Sequence, residues 1–169
     1  MEEEPDWSRE VPEPGEWKPS FGLLRALRDY QSLCSKRGPI ATLSRSVATL
    51  RHRFWSAVTG ADIPLNANSI AGGLLIPHPN GIVIHPEAII GPNVLVFQQV
   101  TIGSGGPKPG VPRIGAGVSV GAGAKVLGGV VIGACARIGA NAVVIDDVPA
   151  GATAVGIPAR LIKEEVVLR

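Results

Sequence analysis

The chain has 169 residues, enough for one domain with an appendage. Apolar residues make up 45 % and aromatic residues only 4 %, which suits a narrow core of aliphatic side chains. A net charge of +2 is too small for charge-driven binding to nucleic acid or to an anionic membrane, and no apolar run approaches the roughly 20 residues of a membrane span. The acidic start, Met1 to Glu4, is unlike a secretion signal, and Cys34 and Cys135, far apart in sequence, are expected to be free thiols of a cytoplasmic protein.

Residues 1–19 are rich in Glu and Pro, with Trp7 and Trp17 among them, and are expected to form a flexible arm. A helical region follows over 20–60. Its first helix would be capped by Ser20, with Leu23, Leu27, Tyr30 and Cys34 at helical spacing, and would end at Gly38-Pro39. The second carries Leu43, Val47, Leu50, Phe54 and Val58 on one stripe and stops at Gly60. Arg45, Arg51 and Arg53 fall on its other faces and are expected to be solvated.

From about Asp62 to Val155 the period changes to six. Ile84, Ile90, Val96 and Ile102 are followed, after an interruption, by Ile114, Val120, Val126, Ile132, Ile138 and Val144. Gly usually comes next, and a small or medium apolar residue four places on: Val94, Val100, Val118, Ala124, Val130, Ala136, Ala142. Such a period fits neither an amphipathic helix nor a two-faced strand, and it is the mark of a parallel β-helix. Three units, 3 × 6 = 18 residues, close one triangular coil, with the aliphatic residue stacked inward and glycine expected to supply unusual corner angles. The segment Ser104–Arg113, rich in Gly and Pro, breaks the register and must bulge outward, where loops often carry function. The coil domain is therefore 61–155, and 156–169 forms a cap and tail.

Three histidines are present. His52 in the second helix reads as a packing or surface residue, and His85, one place after Ile84, as a solvated corner. His78, within Pro77-His78-Pro79-Asn80-Gly81, occupies the least regular rung and is the candidate for chemistry, with a hydrogen-bonded structural histidine as the bland alternative. Asp62, sixteen residues earlier, is nearly one coil away and is expected to stack near His78 and orient its imidazole, or else to cap the coil entrance. No dinucleotide fingerprint, Walker loop or Gly-x-Ser-x-Gly elbow occurs, nor any metal-ligand spacing, so no metal is predicted.

Several segments resemble the serine acetyltransferase family of hexapeptide-repeat acyltransferases. They are Thr59-Gly60-Ala61-Asp62-Ile63, the run Pro77 to Ile84, Gln99-Val100-Thr101-Ile102-Gly103, the run Gly121 to Gly128, and the run Val148 to Arg160. The likeness covers about residues 50–162 and keeps the order and spacing of the motifs. It implies an all-β core, a left-handed parallel β-helix preceded by a short α-helical region. It also implies acetyl-CoA as co-substrate, a homotrimer with the co-substrate in a groove between subunits, and catalysis by His78 with Asp62. By position, Ser104, Gly105, Ala122, Arg137 and Ala140 match the family's cofactor groove. Three departures bear on the acceptor. Pro77 stands where the family has an Asp before the catalytic His, Val111 where it has a second active-site His, and Gly110 where it has a loop Arg. These lost groups help hold an amino acid, so acetyl transfer to a hydroxyl is better supported than serine as its acceptor. A short branch of similar enzymes accompanies surface-polysaccharide synthesis and is matched as well. Cys135, more than two coils beyond His78, is expected to be too distant to carry the acyl group, which favours direct transfer. A sugar O-acetyltransferase and an inactive hexapeptide scaffold that binds a partner are the alternative readings.

Overall fold

The computed structural model describes residues 4–13, 15, 18–65 and 69–162; Trp17 and the tail after Ile162 lie outside the described residues. Two helices come first, α1 (Pro19–Leu33) and α2 (Pro39–Thr59). Among the described residues twelve short strands follow: β1 (Val83–Ile84), β2 (Ile89–Ile90), β3 (Leu95–Val96), β4 (Thr101–Gly103), β5 (Arg113–Ile114), β6 (Ser119–Val120), β7 (Lys125–Leu127), β8 (Val131–Ile132), β9 (Arg137–Ile138), β10 (Val143–Val144), β11 (Thr153–Gly156) and β12 (Ala159–Ile162). They form three parallel faces, β1-β4-β7-β10, β2-β5-β8 and β3-β6-β9-β11, here called A, B and C, with β12 antiparallel on the edge of C. The fold is a left-handed parallel β-helix.

The hexapeptide period sets the register. Ile84 pairs with Ile102, Ile102 with Val126, and Val126 with Val144 down face A, while Ile90, Ile114 and Ile132 stack on face B. Ile114, Val120, Val126, Ile132 and Ile138 are each at most 3 % exposed, and the smaller inward residues, from Val94 to Ala142, are completely buried. Each such aliphatic side chain contributes roughly 1.5–3 kcal/mol through burial. Leu23, Leu24 and Leu27 of α1 continue this core above the first coil, against Ile63, Ile70, Leu74 and Ile76.

The glycines that follow the inward aliphatics serve close approach, not unusual angles. A Cβ on Gly121 would lie 2.6 Å from the backbone nitrogen of Ala140, and one on Gly133 would lie 2.3 Å from that of Ala150. The left-handed corner conformation falls two places later, at Asn93, Gly117, Gly123, Cys135 and Asn141.

Three features of the N-terminal part differ from the sequence reading. Lys18, not Ser20, occupies the N-cap of α1, with Pro19 at the first turn, and Ser20 is buried inside the helix. The segment expected to be a flexible arm is pinned where it is described. Trp7–Glu10 forms a 3₁₀ turn, and Glu10 pairs with Arg28 at 2.8 Å while accepting the Leu74 N–H. Asn93 accepts the Asp6 N–H at 2.7 Å and donates to the Glu4 carbonyl. The Arg28 guanidinium also lies over the Trp7 ring. The spacing leaves open which way the apolar stripe of α2 faces, and it faces outward. Ala41, Ala48, His52 and Thr59 are its buried residues, whereas Leu43, Val47, Leu50, Phe54 and Val58 are 47–67 % exposed. Glycine at Gly38 and at Gly60 (φ 67°, C-cap) bounds α2 as the sequence indicated. Arg51 is not simply solvated: it pairs with Asp29 at 2.6 Å and ties α2 to α1.

Candidate active site

His78 follows the Leu75 bridge of face C and precedes β1 of face A, so it sits at the corner where C turns into A. A backbone ladder runs down this corner. Gly81 donates to the Gly60 carbonyl, Gln99 to Asn80, Gly123 to Gln98 and Asn141 to Ala122, all at 2.8–2.9 Å. Gly60, Gly81, Gln99, Gly123 and Asn141 share a left-handed backbone, with φ between 56° and 73°, which repeats the same turn in every coil. With coils about 4.8 Å apart, Ala122 lies roughly 10 Å below His78 and Ala140 one coil further. Gln98 and Gln99 occupy the next coil down this corner, and below them Gly121-Ala122-Gly123 and Gly139-Ala140-Asn141 carry only small side chains or asparagine.

Above the corner, the helical pair closes in. A cavity of about 320 Å³ is lined by His78 and its neighbours Pro77, Pro79 and Asn80, by Lys18 and Ser20 from the start of α1, and by Val58 and Thr59 from the end of α2. His78 is exposed to it. The Thr59 hydroxyl is committed to the Trp55 carbonyl at 2.7 Å and accepts the Ala61 N–H, which fixes the junction between helix and coil. Lys18, Ser20, Val58 and Thr59 were not read as site residues from the sequence. The signal was available at Gly60: a helix that ends one coil above Asn80 must deliver its last turn to the same corner.

Asp62 does not join His78. It bridges Val83 on face A, with no hydrogen bond to the imidazole, and its charge acts instead on His52. His52 is buried, and its Nε2 has no hydrogen-bond partner. Burial holds the His52 imidazole below its ordinary titration range, against the opposing pull of the Ile63 backbone and the Asp62 charge. His85 accepts the Glu87 N–H on its Nδ1 and lies at the next corner.

The five groove residues separate. Ala122 and Ala140 share the His78 corner, whereas Arg137 projects from face C. Ser104 and Gly105 lie in the outward loop at the opposite edge of face A, beyond β4. That loop is folded back onto the coil: Gly129 donates to the Lys108 carbonyl at 3.0 Å, and the Lys108 ammonium reaches Asp147 at 3.1 Å. The Val131 N–H and Lys108 together hold the Asp147 carboxyl below the usual range. Within one chain, then, the corner that carries His78, Ala122 and Ala140 and the outward loop lie at different edges of face A. Cys135 sits at yet another corner, between faces B and C, and both cysteines are free thiols. A second cavity, about 550 Å³, lies between the N-terminal segment and the helices, beside Trp7, Phe21 and Trp55.

Residues 112–146 match the family described as bacterial transferase hexapeptide, six repeats. A probable serine acetyltransferase of Oryza sativa subsp. japonica is 45 % identical over 56 % of this chain and 38 % of its own length. The soybean serine acetyltransferase apoenzyme superposes with a TM-score of 0.70 and 38 % identity, over 85 % of this chain and 57 % of that one. A serine acetyltransferase solved in complex with CoA gives a TM-score of 0.69 and 33 % identity, over 86 % of this chain and 57 % of its own. The chain thus spans under two thirds of the length of each of these relatives. Over that span its resemblance to the serine acetyltransferases holds in both sequence and backbone.

Proposed function

We propose that this chain, similar to serine acetyltransferases in sequence and in backbone alike, is an acetyl-CoA-dependent O-acetyltransferase whose general base is His78. The observation that carries the reading is the placement of the imidazole. It stands exposed at the corner between faces C and A, in a cavity of about 320 Å³, large enough for a small acceptor. An alcohol is a poor nucleophile at neutral pH, and histidine is the side chain suited to accept its proton. In the reaction His78 takes the hydroxyl proton as the acceptor oxygen attacks the thioester carbonyl. The tetrahedral intermediate collapses with cleavage of the C–S bond, and the proton leaves with the thiolate. The small residues Ala122 and Ala140 leave room for the extended arm of acetyl-CoA, while Ser104, Gly105 and Arg137 would approach it from a neighbouring subunit of a homotrimer. The protein is cytoplasmic in this reading; among the described residues no helix is long and apolar enough to cross a membrane.

The acceptor is a hydroxyl compound, with serine the nominal one and a sugar the second reading. Pro77 and Val111 favour the sugar, because an amino acid zwitterion would be left with charge poorly compensated, and buried unpaired charge is costly. The test is thiol release from acetyl-CoA across a panel of serine, homoserine and sugars. Serine is expected to show a high KM, and Pro77→Asp with Val111→His is expected to raise its kcat/KM. Serine use by the parent as efficient as that of its best sugar rules out this acceptor preference. No thiol release with any acceptor leaves the inactive scaffold as the better account.

A further inference from the structure

The cavity beside Trp7 gathers side chains that the coil does not use. It encloses about 550 Å³ between the N-terminal segment and the two helices, within the size range of small-molecule sites. The chain has only three Trp, three Phe and one Tyr, yet Trp7, Phe21 and Trp55 all line this one space. Both indoles are seated on glycine. A Cβ on Gly72 would lie 2.5 Å from Trp7 Cη2, and one on Gly22 would lie 2.4 Å from Trp55 Cε2. The N-terminal wall adds nothing to the core. Its 3₁₀ turn buries no residue, and Trp7 and Val11 stay 53 % and 64 % exposed. That wall is nonetheless held by Glu10 on Arg28 and Leu74, and by Asn93 on Asp6. Ordering a segment costs conformational entropy, and what it yields here is one side of an aromatic cavity.

The charge around the cavity is one-sided. Lys18, Arg25, Arg28 and Arg51 line it, with Glu10 the only carboxylate among the described lining residues. Glu10 is committed to Arg28, and Arg51 to Asp29. The Arg28 guanidinium lies 5.4 Å from the centre of the Trp7 ring, and the Lys18 ammonium 6.0 Å from that of Phe21. Lys18 and Arg25 are exposed at the rim, and Arg25 enters no ion pair among the described residues. We propose that this cavity binds a small aromatic anion, a flat ring system carrying a phosphate or carboxylate. The ring would lie among Trp7, Phe21 and Trp55, and the acid group would meet Arg25 and Lys18. A neutral apolar ligand would leave the cations unused. An inorganic anion would leave the aromatic walls bare, and an aromatic cation would be repelled. Lys18 is the one residue that also lines the His78 cavity, so the two sites are otherwise separate.

The proposal stands without the acetyltransferase reading, and its test is independent of activity. The full chain is titrated with 8-anilinonaphthalene-1-sulfonate, an aromatic anion whose emission rises in apolar surroundings, and with its uncharged counterpart N-phenyl-1-naphthylamine. The sulfonate is expected to bind saturably. Arg25→Glu, at an exposed position that leaves folding intact, should weaken the sulfonate about tenfold or more and the uncharged probe less than about twofold. Gly22→Ala drives a methyl group into the Trp55 ring and should weaken both probes. Leu50→Asp, on the outward stripe of α2, should change neither. Absence of saturable sulfonate binding overturns the proposal, as does sulfonate binding that Arg25→Glu leaves unchanged or that Leu50→Asp abolishes. Displacement of the bound sulfonate then distinguishes the acid group. AMP as the stronger competitor assigns a phosphate, and indole-3-acetate as the stronger one a carboxylate. Displacement by neither, or by adenosine as readily as by AMP, counts against an aromatic anion.

Discussion

The coil and the helical pair use the same amino acids under different constraints. In the coil every sixth residue has one possible direction, because three faces converge on a single axis; Ile102, Val126 and Ile132 are completely buried. In α2 an equally regular apolar series points to solvent, with Leu50 at 63 % exposure. Regularity alone does not say whether a surface has a partner within the chain; the topology decides that. A solenoid supplies its own, coil upon coil, whereas a helix has two sides and α2 has given the other one to α1.

The sharpest way to break this comparison is one substitution made in both regions. Val126→Asp buries an unpaired carboxylate between two coils and should cost several kcal/mol. Leu50→Asp should leave the chain folded. Thermal melts of both variants decide the matter, and a Val126→Asp protein as stable as the parent is incompatible with the register. At the junction of the two regions, His78→Ala should lower kcat roughly 10²–10⁴-fold with folding intact, whereas His85→Ala should match the parent. Equal losses would remove the distinction between the two corners.

Smaller effects probe how tightly the N-terminal part is bound to the coil. Glu10→Ala strips the charge-assisted bonds from Arg28 and the acceptor from Leu74, and should cost about 2 kcal/mol. Limited proteolysis should then cleave near Val11 faster than in the parent. The smallest effect is a pH dependence. Burial depresses the folded-state titration of His52, so the fold favours its neutral form. The associated stability is complete above the ordinary histidine value near 6.5 and is lost as pH falls below it. His52→Gln should melt with less difference between pH 7.5 and 5.5 than the parent does.

The coil was legible in the sequence because its packing is one-dimensional: Ile114 to Ile138 are inward for the same reason, and the outward loop at Ser104–Arg113 betrays itself by breaking the register. The helices themselves were legible from their apolar spacing and from Gly60, but not the direction of the α2 stripe, since spacing alone cannot say which side another element will cover. The pinned segment was missed because composition is blind to a few specific bonds; Glu10 with Arg28 and Asn93 with Asp6 hold it across more than fourscore residues in the latter case. At the site, His78 stood out by its irregular rung, whereas Lys18 and Val58 reach the same cavity only through the path of two helices. Asp62 was read from a separation of nearly one coil, but the irregular first rung sets it beside Val83 instead.

A stack of identical rungs has no intrinsic length. Each coil presents its successor with the same backbone donors and acceptors, so an exposed last rung is a template on which another molecule's first rung could dock, and then another. In β12 the chain reverses and lays Ala159–Ile162 antiparallel along β11, the final strand of face C. A parallel newcomer then meets a strand of the opposite sense on that face, and α1 lies across the other end with its leucines in the core. Among the described residues, direction thus protects the last strand of face C, and a lid of leucines covers the other end of the core.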